Sequence, residues 1–95
     1  MKEKRILHLT LHRRYFDQIA IGVKKNEYRD MTPYWTKRLL GKVYDEVHFR
    51  NGYSLDRPFM RVQWLGIQSD ITNRRFVTGL GEVLEIKNWS FKKVD

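Results

Sequence analysis

From Glu46 to Ile86 almost every stretch of the chain reads as β-strand, and this run constrains the fold more than any other feature. The strings EVHFR, PFMRVQWLGI and FVTGLGEVLEI are the strand candidates. Between them stand only the turn-rich strings RNGYSLDR and SDITNRR. Gly66 marks a bulge or a close backbone approach inside the second strand, and Gly79 with Gly81 marks a bend in the third.

The first half alternates strand and helix. Ile6 to Leu11 places Leu7, Leu9 and Leu11 on one face and His8, Thr10 and His12 on the other, the period of a half-buried strand. Arg13 to Ile21 then puts Tyr15, Phe16, Ile19 and Ala20 at helical spacing, and Gly22 supplies a left-handed residue after the helix. A short strand through Glu27, Tyr28 and Arg29 follows. Thr32 caps a second helix with Pro33 at its first position, and YWTKRLL runs on until Gly41 stops it. The order β-α-β-α-β-β-β predicts an α+β fold: a small curved β-barrel of about five strands flanked by two short helices. An open α+β sandwich shares that order.

Size and composition narrow the class. Ninety-five residues bury roughly 60–70% of their unfolded surface, enough for one modest core, so residues 1–95 read as a single domain. With no cysteine there is no disulfide, thiolate zinc site or cysteine nucleophile, and a reducing cytoplasm suits the chain. The broken apolar run at the start does not read as a signal peptide, and no segment is apolar enough to span a membrane. Nineteen Lys and Arg against eleven Asp and Glu give +8, with twelve bases and six acids in residues 1–50. Dibasic pairs such as Arg13-Arg14, Lys24-Lys25 and Lys92-Lys93 are spread along the chain, as on a folded basic surface.

The densest polar constellation is Gly22-x-Lys24-x-x-Glu27-x-Arg29. On a strand Glu27 and Arg29 share a face, with Lys24 beside them at its entrance. Arg29 and Lys24 can hold a phosphate or carboxylate, while Glu27 can accept from a base amino group or act as a general base. The plain alternative is a solvated edge strand with one ordinary Glu-Arg pair.

These residues carry a family resemblance. The strand LHLTL, the Gly-Lys-Glu-Arg run, PYWTKRL, the FRNGY string at Phe49 to Tyr53 and the closing LGEVLEI together resemble small bacterial and phage ASCH-domain proteins. The resemblance implies a PUA-like barrel with a cleft that binds RNA or a nucleotide, lined by Lys24, Glu27 and Arg29. Some ASCH proteins remove the acetyl group of N4-acetylcytidine with a lysine, a threonine nucleophile and a glutamate. Lys24 matches that lysine, but Glu27 stands in the threonine's place, and Glu82 or Glu85 would have to supply the glutamate.

Further candidates border the motif. Tyr34 and Trp35 could stack a base or form part of the core. Arg50, Asn51, Gly52 and Tyr53 offer a guanidinium, an amide and a close approach, or simply a tight Asn-Gly turn. His8 and His12 would lie roughly 13 Å apart along a strand, too far to share a metal, and no cofactor is indicated. Three functions follow: an RNA or nucleotide binder using a basic cleft, a small hydrolase (an N4-acetylcytidine-type amidohydrolase or a ribonuclease) using the same cleft, or a module for an acidic protein partner. A membrane is not an expected partner.

Overall fold

Alternation along Ile6–Thr10 (β1) sends Leu7 and Leu9 into the core and turns His8 and Thr10 to the opposite face. The structure is a computed structural model that describes residues 3–90, so the Lys92-Lys93 pair lies outside the described residues. Helix α1 (Arg13–Ala20) buries Phe16 and Ile19. Gly22, at φ 85°, reverses the chain, and the Gln18 carbonyl accepts from the Val23 and Lys24 amides at 3.0 Å each. Strand β2 (Asn26–Asp30) follows, then α2 (Pro33–Leu39), whose cap Thr32 accepts from the Trp35 amide at 3.2 Å. The remaining elements are β3 (Glu46–Arg50), β4 (Phe59–Asp70) and β5 (Arg75–Lys87). Strands β4 and β5 are longer than predicted because SDITNRR yields only Ile71 to Arg74 to the turn, with Asp70 bonding Asn73 and Arg75 across it.

The five strands form one sheet in the order β1-β3-β4-β5-β2, parallel between β1 and β3 and antiparallel elsewhere. The fold is α+β, and the sheet curls into a half-barrel carrying two helices. The core unites Leu7, Leu9, Phe16, Leu39, Val47, Phe49, Met60, Val62, Phe76 and Leu80. Register is firmly fixed: a one-residue slip of β3 would turn Val47 and Phe49 out of that core, at about 2 kcal/mol for each side chain exposed. Curvature comes from the β4–β5 pair, whose register shifts between Arg61 and Gly66. Gly66 sits at φ 123° opposite Gly79, and a Cβ on Gly81 would run into Gln63 Oε1.

The sheet face turned away from the core carries a polar network. Glu46 accepts from Lys4 Nζ at 2.8 Å and from Arg61 Nη1 at 2.9 and 3.0 Å, with His48 Nε2 at 3.0 Å, while Arg61 Nε also reaches Glu85 at 2.9 Å. No helix among the described residues is long and apolar enough to cross a membrane.

Candidate functional site

Strands β1 and β2 are the two edges of the sheet, and the curl brings them close without pairing them. The Arg29 Nη2 donates to the Thr10 carbonyl at 3.3 Å across this seam. Beside that bond opens a cleft of about 660 Å³, within the roughly 300–1,000 Å³ typical of small-molecule sites. Its walls come from the end of β1, the start of α1, all but the first residue of β2, the start of α2 and the β3–β4 loop. Glu27, Arg29, Trp35, Asn51 and Tyr53, five of the residues singled out from sequence, line it together.

Glu27 forms the buried floor. It shares a sheet face with Arg29 because the two stand two residues apart on β2, and it faces the buried Thr78 of β5 in register. Its Oε1 accepts from the Tyr28 amide at 3.0 Å and lies 3.7 Å from Lys24 Nζ, and its Oε2 accepts from Arg29 Nη2 at 2.9 Å. A carboxylate offers about four acceptor positions; two are filled by hydrogen bonds and Lys24 faces a third from beyond hydrogen-bond distance, which leaves at least one for a ligand donor.

Arg29 is held flat. Its guanidinium lies 4.8 Å from the Trp35 ring centroid, Tyr34 packs edge-on against that ring, and Arg29 Nε is shielded from solvent with no hydrogen-bond partner. The stack works because Thr32 and Pro33 start α2 directly after β2, which sets Trp35 beside the strand. Asn51 is anchored by Nδ2 to the Leu11 carbonyl at 2.9 Å, keeping its Oδ1 and second amide hydrogen for the cleft. Gly52, at φ 89°, turns the loop so that Tyr53, 89% exposed, stands at the rim.

Three predicted residues sit elsewhere. Lys24 stands behind the floor, its ammonium 4.9 Å from the Tyr28 ring centroid and 5.8 Å from that of Tyr15, and it lines a separate recess with Gln18 and Asn26. Tyr34 turns its ring to Arg38, 3.6 Å away, one turn along α2. Arg50 points to the outer sheet face, where Nη1 donates to His8 Nδ1 at 2.9 Å. The two later glutamates do not reach Lys24: Glu85 pairs with Arg61 and Lys87, and Glu82 is exposed on β5. His8 and His12 part company, His8 on the outer face and His12 at the cleft wall as the residue before α1.

Sequence reasoning left out His12, Tyr15, Asp30 and Thr32, which also line the cleft. Their signal was positional, since each lies within three residues of an element end that abuts the seam. With Asp30 included, the lining holds two carboxylates and one guanidinium, with Lys24 behind. The cleft is therefore close to charge-balanced rather than basic. Comparison with protein-family models, with curated proteins and with solved structures returned no match.

Proposed function

We propose that the cleft between β1 and β2 binds the base of a nucleoside, a nucleotide or an RNA. One observation carries this reading: a buried carboxylate with an acceptor position to spare, a guanidinium stacked on an indole and an anchored carboxamide converge in one open cleft. Unpaired bases are recognised by stacking on aromatic or guanidinium planes and by hydrogen bonds to their edges, which this set can supply. Near charge balance suits a neutral base better than a phosphate. The resemblance to ASCH-domain proteins and to PUA-like barrels implies the same ligand class, and a protein without cysteine would meet it well in a reducing cytoplasm.

The test is fluorescence anisotropy with a labelled single-stranded RNA hexamer at low salt. Arg29→Gln and Trp35→Ala should each weaken binding about tenfold, while Lys37→Gln, on the exposed side of α2, should stay within twofold. Equal effects in all three variants would reduce Arg29 to a solvated charge.

A second reading, hydrolysis of a modified nucleoside, is favoured by Lys24, whose side chain is only 16% exposed and whose ammonium lies 3.7 Å from Glu27. Against it, Glu27 occupies the nucleophile's place, and Thr32 Oγ1 is engaged in capping α2. Deacetylation of N4-acetylcytidine that disappears in both Lys24→Ala and Glu27→Gln would replace the binding reading with this one.

A further inference from the structure

The β3–β4 loop has two sides. Asn51, Gly52 and Tyr53 face the cleft, whereas Leu55 and Arg57 turn to a second recess of about 300 Å³, completed by Arg50, Phe59, Lys87 and Asn88. Three cations line this recess and no carboxylate does. The contrast with the rest of the outer face is sharp. There Lys4 and Arg61 are matched by Glu46 and Glu85, yet among the described residues neither Arg50 nor Arg57 has an ion-pair partner.

Both guanidiniums are nonetheless held in place. Arg50 donates to His8 Nδ1 and lies 5.1 Å from the Phe59 ring centroid, with Lys87 Nζ 5.9 Å from the same centroid. Burial, and then the Arg50 charge, lower the His8 pKa, which keeps that imidazole an acceptor. Arg57 Nη1 donates to the Ser54 carbonyl at 2.7 Å, and Asn88 Nδ2 donates to the Arg57 carbonyl at 3.3 Å. Arg57 Nε has no partner. Burial, and then the charge of Arg57, lower the Arg50 pKa, a cost that an anion between the two would reverse.

We propose that this recess binds a phosphate group, gripped between Arg50 and Arg57 with Lys87 at its edge. Phosphate fits better than a carboxylate because its several oxygens can answer two guanidinium forks and an ammonium together. Two sources supply such a group, an RNA backbone and a small phosphorylated molecule. The RNA source rests on the base-binding reading of the cleft: a strand with a base in the balanced cleft needs its phosphates held elsewhere, and the loop joins the two places.

The experiment follows arginine Nε–Hε signals of the 15N-labelled full chain by NMR during titration with inorganic phosphate, and separately measures binding of the RNA hexamer and of cytidine. Phosphate should shift the Arg50 and Arg57 signals saturably and leave Arg29 unmoved. In Arg50→Gln/Arg57→Gln, hexamer affinity should fall about tenfold and the slope of log K against log salt should drop by roughly one per lost phosphate contact, with cytidine binding unchanged. Arginine signals that all drift together, or none that move, would overturn the phosphate site. A silent recess with hexamer binding lost in Arg29→Gln would overturn the recess and leave the cleft standing. A responding recess with hexamer binding indifferent to Arg29→Gln would do the reverse. A phosphate response without loss of hexamer affinity would overturn the RNA source and assign the group to a small molecule.

Discussion

Two buried glutamates divide the labour of this protein. Glu46 receives Lys4 and Arg61 on one oxygen and Arg61 and His48 on the other, so its acceptor positions are filled and its role is structural. The hydrogen bond from Lys4, followed by those from His48 and Arg61, outweighs burial and pulls the Glu46 pKa down to about 2. Because the folded value lies below the ordinary 4.5, the unfolded chain binds the proton more readily. The stability Glu46 lends is whole above about pH 4.5 and is lost as pH falls from there towards 2. Glu46→Gln should cost about 2 kcal/mol in urea unfolding at pH 7. The gap between variant and wild type should narrow at pH 3, and a gap that stays constant would contradict the assignment. Glu27 and Arg29 were legible as neighbours on one strand face, but the pairing of Arg50 with Asn51 as site residues was not. Phe49 points into the core, so strand parity alone already sends Arg50 outward, whereas the loop that begins at Asn51 breaks that parity and returns the amide to the seam.

Helix α2 sets the geometry of the cleft through its first turn. Thr32 accepts from the amide of Trp35, the residue whose ring supports Arg29. Thr32→Ala should therefore cost about 1 kcal/mol of stability and also weaken RNA binding, with Thr32→Ser restoring most of both. Urea unfolding and anisotropy together check this; a stability loss with unchanged affinity would mean that Trp35 does not depend on its cap. The cap, Pro33 and the stop at Gly41 were all readable, because each is a local backbone preference. Tyr34 was harder to place. Its ring meets Trp35 edge-on and also takes its i,i+4 partner Arg38 on one face, and the second pairing is visible in sequence only once the helix is granted. The register shifts of β4 against β5 were hinted at by Gly66, Gly79 and Gly81, but which strand bulges depends on contacts between residues far apart in sequence.

At the scale of the molecule, the candidate site follows from incomplete closure. A five-stranded sheet curled into a half-barrel leaves two edges, and here they meet at a seam where polar side chains take the place of a strand ladder. The strands and helices could be read from periodicity, whereas the order β1-β3-β4-β5-β2, which makes β1 and β2 the edges, could not, since partner choice is set by long-range packing. The charge excess was legible as a number, but its separation into a balanced cleft and a cationic recess whose two arginines have no ion-pair partner among the described residues needed the fold. The three tryptophans test the seam as a site: Trp35 lines the cleft, Trp64 packs on Tyr44, and Trp89 donates its indole N–H to Asp17. The most direct measurement is an NMR titration of the 15N-labelled protein with a short single-stranded RNA, observing the three indole N–H signals and the Asn51 side-chain amide. The account predicts that Trp35 and Asn51 move together and saturate while Trp64 stays still, and a footprint that moves Trp64 or Trp89 and spares Trp35 would contradict it.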